Sequence, residues 1–165
     1  MDVQIIKAQV DAKGHLRGDS VAEALSNAGD GVFAIVATAG TTNFGIVDKL
    51  DEIARVANEN QIWFHVDGAY GLAGILAPES RQLFSGVEKA DSFIVDPHKW
   101  LFAPFDACAL VYRDPEQGRA AHTQHGEYLD TLTESGDWNP SDYAYNLTRR
   151  PRGLPLWFSL ATHGV

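Results

Sequence analysis

The chain has 165 residues, of which 45% are hydrophobic and 21% charged, a composition typical of one globular domain and not of a disordered or collagen-like chain. A net charge of −9 disfavours nucleic acid and anionic lipid surfaces as partners. One cysteine, no long apolar run and no basic, apolar leader together predict a cytoplasmic protein with neither a disulfide framework nor a membrane segment.

Short apolar runs alternate with helical patterns along the chain, which is typical of an α/β layered fold. Residues Val3 to Val10 predict a first strand. Asp19 or Ser20 is expected to cap a helix that runs to about residue 27. The apolar run 32–37 then predicts a strand that is covered on both faces.

The middle of the chain predicts a β-α-β unit. Asp48 is expected to cap its helix, and the run 62–66 predicts the second strand, with Asp67 at the carboxyl end. Because ligands of open α/β sheets gather outside the carboxyl ends of strands, the residues that follow each strand are the first candidates for a functional site. The apolar helix positions recur at intervals of three and four: Leu50, Ile53, Ala54 and Ala57.

The last part of the chain mixes regular elements with a long polar stretch. The run 92–95 predicts a third strand, and 107–112 predicts an antiparallel return because the connection is short. Residues 114–148 show little periodicity, which predicts a mobile loop. Residues 149–162 predict a packed helix with Pro155 in its first turn.

Two residues are the main candidates for a chemical role. Of the five lysines, Lys99 alone directly follows an apolar strand, where partial desolvation would favour a neutral, nucleophilic amine. On pattern alone, a lysine that extends from the core edge into solvent is the commoner case. Asp67 ends a buried strand before the small residues Gly68 and Ala69, so it could approach the ring nitrogen of a flat cofactor. An isolated aspartate in such a place more often caps a turn or helix.

Three ordered stretches, residues 36–42, 62–70 and 90–101, carry a family resemblance. They resemble the pyridoxal-phosphate-dependent group II amino-acid decarboxylases, which include the aromatic-L-amino-acid, histidine, glutamate and cysteine-sulfinate decarboxylases. The resemblance implies an α/β fold, namely part of an aspartate-aminotransferase-like large domain of fold type I with a mainly parallel sheet and flanking helices.

The resemblance also implies a role for each matching residue. Lys99 matches the lysine that holds pyridoxal 5′-phosphate as an internal aldimine, Asp67 the carboxylate that pairs with the pyridine nitrogen, and Ala69 the residue against the ring. An anion beside that nitrogen favours its protonated form, which makes the ring an electron sink. The implied reaction is decarboxylation of an L-amino acid to the amine. The alternatives are oxidative deamination, carbon–carbon lyase chemistry or a catalytically silent fragment.

The roles of the other matching residues are left open. Thr41 and Thr42 match threonines beside the cofactor, although stabilising a turn suits their hydroxyls nearly as well. His98 precedes the lysine as in the family, and it either positions the phosphate or carries protons, or only packs. Asp96 stands where relatives often have asparagine near the phosphate, and its role is left open because an anion there would repel phosphate.

The polar stretch matches the family's mobile loop, which carries a tyrosine that protonates the carbanion. Tyr143 is the preferred match, with Tyr128 and Tyr145 as alternatives. Family members that lack this tyrosine can follow oxidative deamination instead, so the outcome of the reaction depends on it. No metal site is predicted, because His122 and His125 lack a third ligand.

The resemblance covers the second half of the family's large domain, without the upstream part or the carboxyl-terminal small domain. It implies a homodimer with the active site near the subunit interface, and it predicts that residues 1–165 alone bind the cofactor weakly or not at all. Cys108 is expected to be a buried, inert thiol. Arg150 or Arg152 is expected to be solvated unless it meets a carboxylate or a subunit interface.

Overall fold

The structure, a computed structural model, describes residues 3–123 and 139–164. The helices in these residues are α1 (Gly18–Ala28), α2 (Leu50–Glu59), α3 (Pro115–His122) and α4 (Gly153–His163). The strands are β1 (Ala34–Thr38), β2 (Trp63–Asp67), β3 (Ser92–Val95) and β4 (Ala109–Tyr112). Short 3₁₀ segments lie at Gly71–Leu76, Arg81–Phe84, Val87–Lys89 and Pro140–Tyr143.

The four strands form one sheet in the order β1-β2-β3-β4. β1 pairs with β2 and β2 with β3 in parallel, whereas β4 returns antiparallel to β3. The predicted β-α-β unit and the antiparallel return are therefore confirmed. Because three neighbouring strands run the same way, they end together at Thr38, Asp67 and Val95, and we call this side of the sheet the carboxyl edge.

The core lies between α2 and one face of β1 and β2. Phe64 and Val66 point to this face and are almost fully buried. Burying a side chain of this size typically contributes about 1.5–3 kcal/mol, so these contacts hold β2 firmly in place. All four apolar helix positions that the sequence predicts are buried here: Leu50, Ile53, Ala54 and Ala57.

The opposite face of β1 is open, so the prediction of a strand covered on both faces is wrong for this part of the chain. Burial alternates along β1, and Val36 in its centre is 58% exposed. A continuous apolar run predicts that both faces are buried, but it does not tell which chain segment covers each face. None of the described residues covers Val36.

The predicted strand from Val3 to Val10 does not form. Its side chains are largely exposed, and the segment makes only one isolated antiparallel bridge, between Val10 and Leu16. A sequence with β propensity becomes a strand only when a partner strand pairs with it, and none of the described residues offers one here.

The predicted helix caps are also wrong. α1 begins at Gly18, with Arg17 at the N-cap and Asp19 inside the first turn. α2 has Lys49 at its N-cap, and the Asp48 carboxylate instead accepts hydrogen bonds from the backbone of Leu16 (2.8 Å) and Thr38 (2.7 Å). Asp48 thus ties two distant segments together, and this tertiary role replaces local capping.

The carboxyl-terminal part differs from prediction in two ways. Helix α3 occupies the start of the predicted loop 114–148, capped by the Asp114 side chain, which accepts from the backbone of Glu116. Helix α4 has Pro155 in its first turn as predicted, but Trp157 is 61% exposed instead of packed. None of the helices in the described ranges has the length and apolar character that a bilayer-spanning segment needs.

Two glycines bring the loops after β1 and β2 into contact. A Cβ atom at Gly71 would lie 2.5 Å from the Cα of Gly40 and 2.8 Å from the carbonyl oxygen of Ala39. Gly40 itself has a φ of +98°, which favours glycine. The carboxyl edge can therefore close in this way only without side chains at these two positions.

We expect Gly71→Ala to lower the free energy of unfolding by about 1–3 kcal/mol, because the added methyl group would force two backbones apart. Urea denaturation of the protein measures this free energy. The matched control is Gly153→Ala, because a Cβ there meets nothing within 4 Å. Equal denaturation midpoints for the two variants would show that the loops do not touch in solution.

Candidate active site

The register of the sheet places Asp67 beside the turn that carries Lys99. Asp67 lies opposite Ile94 on the parallel strand β3. The alignment continues past the strand ends, since the Asp96 N–H donates to the carbonyl of Ala69 at 3.2 Å. Asp67 and the turn from Asp96 to Lys99 therefore leave neighbouring strands side by side at the carboxyl edge.

A tight turn directs the Lys99 side chain. The Lys99 backbone N–H donates to the carbonyl of Asp96 at 2.9 Å. The Lys99 Nζ forms an ion pair with Asp96 Oδ2 at 2.7 Å, and the two side chains are 35% and 12% exposed, respectively. The amine is thus held at the carboxyl edge, partly covered and beside a carboxylate.

Asp67 presents a fixed negative charge at the same edge. Its Oδ1 accepts a hydrogen bond from the Ala69 backbone at 3.1 Å, which orients the carboxylate. The structure thus brings Asp67, Ala69 and Lys99 to one edge, as the sequence predicts. The described residues do not enclose Asp67 in a desolvated pocket, however, because its side chain is exposed.

The threonines of the loop after β1 stabilise that loop. The Thr41 Oγ1 accepts a hydrogen bond from the Ile46 backbone at 3.1 Å, and the Thr41 N–H donates to the Ile46 carbonyl at 3.0 Å. Thr42 is exposed. The turn-stabilising alternative is therefore observed for Thr41, and contact of either hydroxyl with a cofactor stays a prediction.

His98 is anchored through one ring nitrogen. Its Nδ1 lies in hydrogen-bond contact with the carbonyl of Ala107, and its ring meets Phe105 edge-on at 5.1 Å. Because a carbonyl only accepts, Nδ1 carries the hydrogen, and Nε2 of the neutral ring is left as a proton acceptor. The residue next to Lys99 can therefore both pack and carry a proton.

His65 is half-buried and lies on the face of β2 opposite to the core side chains Phe64 and Val66. Its Nδ1 bonds to the Ser92 hydroxyl at 2.7 Å, and the same hydroxyl accepts from the Trp63 indole at 3.0 Å. Burial lowers the pKa of His65, and the negative charge of Asp67 opposes this only in part. The ring is therefore neutral near pH 7 and supports the strand that carries Asp67.

Cys108 differs from its prediction in exposure. The residue is exposed, although it was expected to be buried. Desolvation of the thiol and the adjacent Asp96 carboxylate raise the pKa of Cys108 to about 11. Since the thiolate is the reactive form, the raised pKa disfavours a nucleophilic role for Cys108 at neutral pH.

Tyr143 is the preferred candidate for the proton donor. Tyr143 is half-buried in a 3₁₀ segment packed against α3, and no hydrogen bond joins it to Lys99 in the part of the chain that the structure describes. Tyr128 and His125 lie outside the described residues. The role of Tyr143 as proton donor therefore stays a prediction.

The arginines before α4 meet a carboxylate. Arg152 donates two hydrogen bonds of 3.1 Å to the Asp106 carboxylate, and Arg150 donates a third of 2.6 Å. Chiefly through the Arg152 hydrogen bonds, this arrangement lowers the pKa of Asp106. The pairs fasten the segment before α4 to the loop that follows Lys99.

The other candidate sites are weaker. A groove of about 800 Å³ lies at the opposite edge of the sheet, but its charged residues are paired, Lys89 with Asp51 and Arg113 with Asp91. Among residues 3–123 and 139–164 no group of three or more metal-ligating side chains occurs. The carboxyl edge is therefore the candidate active site.

Sequence reasoning missed two contacts of this site. The ion pair between Asp96 and Lys99 joins residues three positions apart, a spacing that signals proximity within a turn. Tyr70 packs edge-on against Trp100 at 5.4 Å, which braces the segment after β2 against the turn that carries Lys99. Nothing in the spacing of these two aromatic residues signals their contact.

The chain is similar to known proteins in both sequence and fold. A family model described as "Pyridoxal-dependent decarboxylase conserved domain" matches residues 1–165. The chain is 39% identical to the aromatic-L-amino-acid decarboxylase of Manduca sexta over 99% of its own length and 33% of that protein. It is 38% identical to the phenylacetaldehyde synthase of Arabidopsis thaliana over 90% of its length and 31% of that protein. The crystal structure of Oryza sativa TDC with PLP and tryptamine superposes with a TM-score of 0.86 at 33% identity, over 94% of this chain and 33% of that one.

Proposed function

Because the chain belongs to the pyridoxal-dependent decarboxylase family, we propose that it supplies the cofactor-binding edge of an enzyme that decarboxylates an L-amino acid. Its sheet with flanking helices is part of the fold type I architecture of the solved relatives, as expected. The chain spans about a third of the length of the Manduca and rice relatives. The proposed activity is therefore that of a polypeptide with the full length of these relatives, here called the complete polypeptide.

One observation carries this proposal, namely that Asp67 and Lys99 leave adjacent parallel strands at the same edge. Pyridoxal phosphate, the cofactor of this family, needs an amine that bonds to its aldehyde and an anion near its ring nitrogen. Lys99 supplies the amine, and the exposed carboxylate of Asp67 supplies the anion. Between them, Ala69 has too small a side chain to obstruct a flat ring. The residues present therefore fit the cofactor.

Each residue has a distinct task in the proposed reaction. When bound, pyridoxal phosphate supplies an aromatic ring that accepts the electron pair of a breaking bond. Lys99 would hold the cofactor through its amine and would be free of it when the substrate amine takes that position. Asp67 would be the carboxylate beside the ring nitrogen, where a negative charge would favour the protonated form of that nitrogen. His98, with Nδ1 bonded to Ala107, has Nε2 available to accept or return a proton near Lys99.

The proposed reaction replaces the carboxylate of the substrate with a proton, so that carbon dioxide and a primary amine are the products. We expect the cofactor-loaded complete polypeptide to convert at least one L-amino acid in this way, with the aromatic amino acids first among the candidates because of the named relatives. A panel of the proteinogenic L-amino acids, with chromatographic detection of amines, tests this. Matched D-amino acids are the control. Formation of no amine from any of them contradicts the proposal.

A second candidate is an aldehyde-forming reaction with the same cofactor and lysine. The similarity to phenylacetaldehyde synthase favours it, and so does the uncertain match of the loop tyrosine. Aldehyde, ammonia and consumption of dioxygen in the same panel would identify this reaction. If substitution of Lys99 changes no measured activity, the remaining alternative is a catalytically silent chain. The homodimer and the cytoplasmic location stay predictions.

A further inference from the structure

The Asp106 carboxylate is held on both of its oxygens by arginines at the start of α4. Arg152 donates from Nε to Oδ1 and from Nη2 to Oδ2, each at 3.1 Å. Arg150 donates from Nη2 to Oδ1 at 2.6 Å. Two parallel hydrogen bonds from one guanidinium group fix the orientation of a carboxylate as well as its position. Asp106 is therefore attached to α4 in one defined geometry.

The turn before α4 brings the two guanidinium groups to the same carboxylate. The Arg152 N–H donates to the Arg150 carbonyl at 2.8 Å, and Pro151 between them has a restricted φ. Arg152 is the N-cap of α4, where a positive side chain is unfavourable because the helix dipole is positive at this end. The negative charge of Asp106 offsets both, so this arrangement is stabilised only while the carboxylate is present.

Asp106 lies between the two residues that hold the His98 ring. Phe105 meets this ring edge-on at 5.1 Å, and the carbonyl of Ala107 accepts the hydrogen bond from its Nδ1. We call residues 105–107 the His98 support. A displacement of Asp106 moves both neighbours with it, because they are bonded to it directly. The position of the His98 ring therefore depends on where the arginines hold Asp106.

Packing alone holds only one end of the His98 support. Ala107 is 5% exposed, whereas the Phe105 side chain is 82% exposed and gains little from the core. From elsewhere in the described ranges, hydrogen bonds reach the His98 support only from His98 itself and from the two arginines. The bonds to Asp106 are thus the polar attachment of this segment that does not depend on His98.

We propose that Arg152 is a positioning residue that acts through Asp106 to hold His98 with its Nδ1–H on the Ala107 carbonyl, so that Nε2 remains the proton acceptor beside Lys99. The coupling between Arg152 and His98 is a property of the cofactor-free chain. Only its effect on turnover rests on the proposed function.

The tautomer of His98 reports whether its ring is held in this way. A neutral imidazole carries one N–H, and the carbonyl of Ala107 keeps that hydrogen on Nδ1. Without this contact the hydrogen is shared between the two nitrogens, and a ring with its hydrogen on Nε2 has no acceptor there. Loss of the arginine attachment should therefore appear as a mixture of tautomers at His98.

The test compares Arg152→Ala with the wild type in the complete, cofactor-free polypeptide. Nitrogen-15 NMR of protein labelled in its histidines, at about pH 8, distinguishes the two neutral tautomers. The resonances that disappear in His98→Gln are those of His98. We expect His98 of the wild type to carry its hydrogen on Nδ1, and the Nε2–H form to rise to about half of the population in Arg152→Ala.

The matched control is Arg17→Ala. Arg17 bonds to Glu52 at 3.1 Å, and these side chains are 41% and 33% exposed, close to the 36% and 33% of Arg152 and Asp106. This pair joins the start of α1 to α2, so its loss should leave the His98 tautomer unchanged.

Two further variants separate geometry from charge. Arg152→Lys keeps the positive charge but cannot form the two parallel hydrogen bonds, so its tautomer mixture should lie between those of wild type and Arg152→Ala. Asp106→Asn turns an amide N–H₂ towards one of the arginine donors and should give the same shift as Arg152→Ala. It also serves as the test if Arg152→Ala does not fold.

An unchanged His98 tautomer in the Arg152 and Asp106 variants would overturn the proposal, because the packing of Ala107 would then be sufficient. An equal shift in Arg17→Ala would overturn it too, since any loosening of the fold would have the same effect. In the cofactor-loaded protein we expect Arg152→Ala to lower kcat for amine formation about 10-fold with little change in KM. If the tautomer shifts but the wild type forms no amine, the role of Arg152 stands and the proposed function fails.

Discussion

Replacing Lys99 with Arg should abolish covalent attachment of the cofactor and lower amine formation by roughly 10³-fold or more, because both nucleophilic attachment and proton transfer by the amine are lost. Arginine keeps the positive charge beside the largely buried Asp96, so the fold should survive. Visible absorbance of the purified protein measures attachment, and amine formation under saturating substrate measures turnover.

Lys89→Arg is the matched control for this experiment. Lys89 also pairs with an aspartate, Asp51, but lies at the opposite edge of the sheet. Its substitution should leave both colour and turnover unchanged. A Lys99→Arg protein that keeps the colour and more than a tenth of the turnover would mean that another residue holds the cofactor.

Replacing Asp67 with Asn should separate cofactor attachment from turnover. The amide oxygen of asparagine can still accept from the Ala69 backbone, so the local geometry is retained while the negative charge is lost. We expect attachment at Lys99 to persist and amine formation to fall by about 10²–10³-fold, the typical effect of removing one electrostatic stabiliser. Steady-state kinetics with the cofactor in excess measures this.

Asp11→Asn is the matched control for replacing a carboxylate with an amide. The Asp11 carboxylate also accepts backbone hydrogen bonds in a turn, from Lys13 and His15, but it lies far along the chain from the strands that form the carboxyl edge. Its substitution should not change turnover. If Asp67→Asn also leaves turnover intact, the ring nitrogen does not depend on this carboxylate, and the assignment of Asp67 is wrong.

The parts of the fold that could be predicted are those fixed by local pattern. β2 and β3 follow from buried apolar runs, and the inner face of α2 follows from its three- and four-residue spacing. The strand predicted at Val3 to Val10 fails because a strand also needs a partner. Asp48 fails as a cap because its carboxylate bonds to residues 32 and 10 positions away, which no local pattern reveals.

The same distinction holds for the candidate site. The shared location of Asp67 and Lys99 could be predicted because parallel strands end at the same edge of a sheet, independently of side-chain conformation. The direction of side chains could not be predicted. The pairing of Lys99 with Asp96, the anchoring of His98 on Ala107 and the exposure of Cys108 all depend on how the turn after β3 folds.

In the proposed site one amine, that of Lys99, bonds to the cofactor beside Asp67. Borohydride reduction of the cofactor-loaded complete polypeptide makes this bond permanent, and peptide mass spectrometry then locates it. We expect a single pyridoxyl adduct on the peptide that contains Lys99. An adduct on any other lysine, with Lys99 unmodified, would contradict it.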